Sequence, residues 1–368
     1  MSEVFAARRT RLREQCAAVG STAVLVSHPA NVRYLCGGSP TGAALLLGPT
    51  DDVLVRPPAT AADPMVGAPI DDLRVQELGA PHGDAAVAAA DLAATAGAGR
   101  LAVEEHHLTV ARHRALRSIA PRLELTDLAG AVEQQRIVKD DDEISALRIA
   151  AEIADQALGE LLESILVGRT ERHLALELER RLVDHGADGP AFATSVGAGP
   201  HSGRSGHVPT DRRVEEGDFL TVCLGAGYRG YRCEVGRTFV IGTSPADWQI
   251  ELYDLVFAAQ RAGREALTPG TAYCEVDRVT RQVLAAAGRE ETLGARVGHG
   301  VGLENDEDPR LAPGAMGKLD ACVPVTVEPG VHLPGRGGVR IDDTLVVRPE
   351  ADGGPELLTI TTKELLAL

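Results

Sequence analysis

Between residues 140 and 165 apolar side chains recur at Ile144, Leu147, Ala151, Ala154, Leu158, Leu161 and Ile165, in alternating steps of three and four. That period predicts a helix with one stripe on a core and its Glu, Arg and Asp residues toward water. Asp140 is placed to cap it, and Asp141, Asp142 and Glu143 sit where the helix dipole favours negative charge. "GRTERHLALELERRLVDHG" repeats the logic, with Thr170 as N-cap and Gly186 closing the C-terminal end. Beyond it the period falls to two: in "FLTVCLG" Leu220, Val222 and Leu224 share one strand face, and Phe219, Thr221 and Cys223 the other. Upstream, "STAVLVSHPANVRYLCGG" and "GAALLLGPTDDVLVRPP" carry short apolar runs bounded by Gly, Pro and Asp, while "GDAAVAAADLAATAGAG" is helix-prone. The change near "AVEQQRIVKDDDEIS" divides the chain into an α/β domain over residues 1–137 and a larger domain over 138–368.

A chain of 368 residues suits two such domains better than one core. Its net charge of -16 leaves no basic surface to neutralise phosphates or dock on anionic lipid, which excludes nucleic acid and membrane as main partners. No apolar run reaches a membrane span, and the opening residues lack the continuous apolar core of a signal peptide. The six cysteines, at 16, 36, 223, 233, 274 and 322, show no CxxC spacing and suggest neither a zinc knuckle nor a disulfide framework. The expectation is a cytoplasmic protein whose partner is a small molecule or another subunit.

The polar residues on interior strands carry the chemistry. "TVCLGAGYRGYRCEVGRT" reads as two strands around a glycine-rich turn. A turn centred on Tyr228 and Arg229 sets Cys223 directly across from Glu234, both facing one pocket, with Cys233 turned into the core. His299 lies between glycines in "GHGVGLE", Glu328 ends the strand of "VTVEPG", and "GGVRIDDT" puts Arg340 and Asp342 on one face. Five potential ligands therefore come from separate segments. A carboxylate-rich set with one imidazole suits Mn, Co, Fe or Zn.

These segments, with "ADGPAFATSVGAG" and "DRRVEEGDF", occur in the order that resembles the creatinase, aminopeptidase P and prolidase family, the pita-bread hydrolases. The resemblance implies an α+β fold, a pita-bread C-terminal domain preceded by a smaller α/β creatinase-like domain. It also implies a divalent metal site of one or two ions, a small peptide-like or amide substrate, and a homodimer. The family's ligands Asp, Asp, His, Glu and Glu fall on Cys223, Glu234, His299, Glu328 and Asp342, the second and fifth being the positions that bridge both metals. Cys223 offers one sulfur where the family has a carboxylate, and the lengths at 234 and 342 are exchanged. A substrate-facing histidine falls on Gly206, with His207 one residue late, and a second falls on Asp306. His207, Asp306 and Arg340 are the candidate catalytic or substrate-binding groups, although Arg340 can equally form a salt bridge within the pocket and Asp306 can belong to a solvated acidic loop. Three functions fit: a metal-dependent hydrolase of a C–N bond with ordinary Xaa-Pro activity reduced, a metal-free hydrolase, and an inactive binding or regulatory protein.

Overall fold

The computed structural model describes residues 2–38, 41–49, 51–58, 73–79, 82–164, 166–289 and 294–368. Ile165, expected on the first helix stripe, lies outside them. The chain divides into two compact units, Met1–Arg136 and Ile137–Leu368. Among the described residues no helix is long and apolar enough to cross a membrane.

The first unit is built on a mixed six-stranded sheet. Its order is Arg74–Glu77, Asp52–Arg56, Ala44–Leu47, Ala23–Val26, Arg100–Val103 and Glu124–Asp127. The strands AVLV and ALLL are buried along their whole length, the continuous apolar run of a strand covered on both faces. Asp84 caps the alanine-rich helix Ala85–Thr95 by accepting from the N–H groups of Ala86 and Val87.

In the second unit, Asp140 and Glu143 form a reciprocal capping box at the start of the helix Asp141–Leu162. Thr170 caps the helix Glu171–Asp184, and Gly186 follows that helix in the left-handed region that ends helices. The apolar stripes of both helices pack on the antiparallel sheet Ser195–Ala198, Phe219–Leu224 and Val235–Val240. A five-stranded sheet follows, in the order Glu307–Leu311, Gly298–Gly300, Pro324–Val327, Asp343–Val346 and Glu356–Leu357. The helices Asp247–Glu265 and Tyr273–Ala286 pack against it and against the hairpin Gly330–Leu333/Gly337–Arg340. The two sheets meet where Gly236 and Asp342 exchange backbone hydrogen bonds of 3.1 and 3.0 Å.

The hairpin register differs from the sequence expectation. Tyr228 pairs with Tyr231, and Cys223 pairs with Gly236 instead of Glu234. The turn is centred on Arg229 and Gly230, both at positive φ, the two-residue geometry whose twist matches the flanking strands. Moving the turn centre by one residue shifts the register by two. Glu234 therefore stays on the same face as Cys223, as a diagonal neighbour just beyond the strand end. Cys233 is buried in the core, as expected. Gly236, now opposite Cys223, needs its missing side chain, because a Cβ there would overlap the Asp342 carboxylate.

Asp342 is held from behind by its neighbour Asp343, whose fully buried carboxylate pairs with the fully buried Arg237 at 2.8 Å. Arg237 also donates to the carbonyls of Gly236 and Asp342, both at 2.7 Å, and to that of Thr361. Gln260, Lys363 and Thr359 complete the shell around Asp343. Arg237→Met leaves a buried carboxylate short of its strongest partner, so it is expected to lower unfolding stability by about 3–5 kcal/mol in urea denaturation. A midpoint equal to that of the parent protein would rule out this clamp as a main support of the sheet junction.

Candidate functional site

Four segments converge on one pocket of about 480 Å³ in the second unit. The strand Phe219–Leu224 supplies Cys223, the end of the adjoining hairpin supplies Glu234, His299 comes from the strand Gly298–Gly300, and Glu328 follows the strand Pro324–Val327. Asp342 reaches the same place through the gap left by Gly236. All five residues expected as ligands are thus brought together, and their donor atoms form two groups sharing Glu234. One group is Cys223, Glu234 and Asp342; the other is Glu234, His299 and Glu328.

Arg340 runs into the middle of this set. Its Nε donates to Asp342 Oδ1 and Oδ2 at 2.8 and 2.6 Å, and its Nη2 to Glu234 Oε1 at 3.0 Å and to Glu328 Oε2. The backbone N–H and C=O of Arg340 are both bonded to Thr238 Oγ1, which fixes the root of the side chain. The sequence left Arg340 open between a salt bridge and a substrate contact; here it pairs with three carboxylates. They in turn hold its proton well above the ordinary arginine range, against the opposing effect of burial.

Burial raises Cys223, Glu234 and Glu328. The Cys223 thiol is pushed well above its usual value by desolvation, a rise that Arg340 opposes and that Asp342 and Glu234 reinforce. It is therefore a protonated donor, 3.1 Å from Asp342 Oδ2 and 3.4 Å from Glu234 Oε1. Desolvation also raises Glu234, with Arg340 opposing. Glu328 is pushed to about 7 by burial and then by Glu234, with Arg340 again opposing.

The second donor group has the spacing a metal needs. His299 Nδ1 lies 3.0 Å from the Gly300 carbonyl, which assigns its proton to Nδ1 and leaves Nε2 as a lone pair. Nε2 is 3.7 Å from Glu234 Oε2 and 3.5 Å from Glu328 Oε1. Donors bound to one ion at about 2.1 Å stand roughly 3–4 Å apart, and both distances from Nε2 lie in that range.

The two remaining expected residues are placed differently from the ligand set. His207 lines the pocket wall, but its Nε2 is 2.9 Å from Glu171, a fully buried carboxylate that also binds His201, the N–H of Ala198, and the N–H and Oγ1 of Thr210. Burial alone would raise Glu171, yet these bonds hold it below the usual carboxylate value. Gly206 precedes His207 at φ +68. Asp306 is not among the pocket-lining residues and pairs with Arg296 at 2.6 Å. The "ENDED" loop is not simply solvated either, because Glu307 is buried against Lys139.

Sequence reasoning missed His332. It lines the pocket, and its Nδ1 lies 3.3 Å from the Ser202 carbonyl, leaving Nε2 as an acceptor. Burial lowers its pKa below the ordinary histidine value, with the Ser202 bond opposing. Two-residue steps from Glu328 through Gly330 to His332 were the available signal. Asn305 was also missed; it contacts Glu234 Oε2 at 3.4 Å, and its own buried Oδ1 has no hydrogen-bond partner. Nothing near Glu171 in sequence announces its role, since its partners come from a distant loop.

The sequence profile of metallopeptidase family M24 matches residues 145–349, and that of the creatinase/prolidase N-terminal domain matches residues 8–138. The chain is 33% identical over 364 residues to an uncharacterized peptidase of Bacillus subtilis, covering 97% of this chain and 99% of that one. It is 37% identical over 235 residues to an Xaa-Pro dipeptidase of Pyrococcus horikoshii, covering 64% and 66% of the two. Among solved structures, an Xaa-Pro dipeptidase from Bacillus anthracis superposes with a TM-score of 0.89 at 30% identity, over 99% of this chain and 100% of that one. A creatinase-type N-terminal domain followed by a pita-bread domain, with these relatives at these levels of identity, means that the chain belongs to metallopeptidase family M24.

Proposed function

We propose that this chain is a metal-dependent hydrolase of an amide or peptide C–N bond, acting on a small substrate that carries a free carboxylate through a remodelled form of the family site. The observation that carries the reading is the convergence of Glu234 Oε2, Glu328 Oε1 and His299 Nε2 on one gap in the pocket. These residues would hold the ion, and Mn, Zn, Co and Fe all suit such donors. A bound dication supplies Lewis-acid polarisation of the scissile carbonyl and acidifies water beside it.

The chain's own side chains supply the rest. Arg204 and Arg296 line the pocket, and Arg310 joins Arg296 in the adjoining cleft. In a chain of net charge -16, Arg204 and Arg310, beside an Arg296 already shared with Asp306, suit a substrate carboxylate. His332 is neutral near pH 7 because its pKa is lowered, so its Nε2 can take a proton and return it to the leaving nitrogen. It would stand in for the family's substrate-facing histidines, whose positions here are Gly206 and Asp306. Ordinary Xaa-Pro dipeptides are expected to turn over slowly for that reason.

Assays of the metal-loaded protein over Xaa-Pro dipeptides and small N-acyl amides test the reading. Turnover should vanish on chelation and fall about 10²-fold in kcat in His332→Ala with little change in KM. His332→Gln, which can keep a bond to Ser202 without carrying a proton, should fall as far. Background rates across the whole panel would sink the hydrolase reading.

Metal affinity should also depend on pH in a defined direction. Glu328, raised to about 7, must lose its proton before it can ligate. Mn affinity should therefore climb about tenfold per pH unit below 7 and level off above it. Isothermal titration between pH 5 and 8 would show this, and a flat profile would remove Glu328 from the ligand set.

A further inference from the structure

We infer that the site takes one divalent ion per chain and that the Arg340 guanidinium fills the place of the second cation. This rests on the metal-dependent reading above and deepens it.

Each group of donors has a different fate. Asp342 has both oxygens bonded to Arg340, and its Oδ2 also accepts from Cys223. Glu234 gives Oε1 to Arg340 and Cys223. The Cys223, Glu234 and Asp342 group therefore has its facing oxygens committed to a fixed cation and a thiol. Glu234 Oε2, Glu328 Oε1 and His299 Nε2 are not bonded to Arg340 or Cys223: among the described residues Asn305 Nδ2 stands 3.4 Å from Glu234 Oε2 and Arg296 Nε 4.0 Å from Glu328 Oε1. Glu234 and Glu328 thus each turn one oxygen to the guanidinium and the other to His299.

Position along the strand explains the division. The short Asp342 side chain lies two residues from Arg340, and its carboxylate sits against the Arg340 Nε. The planar fork of arginine then reaches Glu234 and Glu328 with its Nη2. Charge agrees with geometry: one guanidinium and one dication balance the three carboxylates, whereas two dications and the guanidinium would leave an excess of positive charge. Cys223 Sγ, 3.1 Å from Asp342 Oδ2 and 3.4 Å from Glu234 Oε1, is hydrogen-bonded within the group that Arg340 occupies and does not face the His299 side.

The test is metal counting on the full chain reconstituted with Mn(II) and desalted, read by elemental analysis and electron paramagnetic resonance. The expected result is one Mn per chain with the spectrum of isolated ions, kept in Cys223→Ser and lost in His299→Ala. Two Mn per chain with an exchange-coupled spectrum would overturn this inference while leaving metal dependence intact. No Mn in the folded parent protein would overturn both. Loss of the ion in Cys223→Ser, with the fold retained by circular dichroism, would make the thiol a ligand and also overturn it. In Cys223→Asp/Arg340→Met the count should rise from one to two; failure of this variant to fold leaves the decision with the parent protein's count and spectrum.

Discussion

Three carboxylates crowd together at one pocket, and that crowding constrains everything around it. Glu234 and Asp342 are buried, and Glu328 is nearly so. Like charges this close raise each other's pKa unless cations intervene. The Arg340 guanidinium meets all three, and the Cys223 thiol adds hydrogen bonds to two. Even so Glu328 remains raised to about 7. Burial is the first cause of that rise and Glu234 the second, so Arg340 offsets them only in part.

The scaffold around this set depends on two adjacent aspartates whose side chains do different work. Asp342 faces the pocket through the gap at Gly236, while Asp343 pairs with Arg237 in the interior. Arg237 binds the carbonyls of both Gly236 and Asp342, the pair that joins the two sheets. A structural ion pair thus fixes the distance between strands on which the pocket's own ion pairs rely. Buried pairs of this kind are weak evidence for net stability, because desolvation offsets much of their attraction. Their clearer contribution here is geometric, since the guanidinium bonds specify which backbone groups lie together.

Much of this was legible in the sequence because it followed from periodicity and turn chemistry. The stripe from Ile144 to Leu161 and the caps at Asp140 and Thr170 are local signals, and the helices form where those signals put them. The hairpin failed by one residue at its turn, where Gly230 and the positive φ of Arg229 set the centre. It cost the exact pairing of Cys223 but not its face, because strand side chains repeat every two residues. Glu171 was illegible for a different reason. A glutamate in the first turn of a helix ordinarily faces solvent near the dipole, whereas this one is buried by a loop from Ala198 to Thr210 that brings it five hydrogen bonds. No pattern within the helix encodes that loop.

Cys223, Glu234 and Asp342 are easier to understand together than singly. The cysteine adds a hydrogen-bond donor beside the carboxylates without adding a further buried carboxylate. The short side chain of Asp342 keeps its carboxylate against Arg340, and the longer one of Glu234 touches both Arg340 and the His299 side. Together with Glu328 they leave each carboxylate oxygen of the cluster either hydrogen-bonded or facing the imidazole. An apolar side chain at any of these positions would remove a buried polar group without needing a partner. The polar groups present instead fix one positive charge, the Arg340 guanidinium, in a defined place.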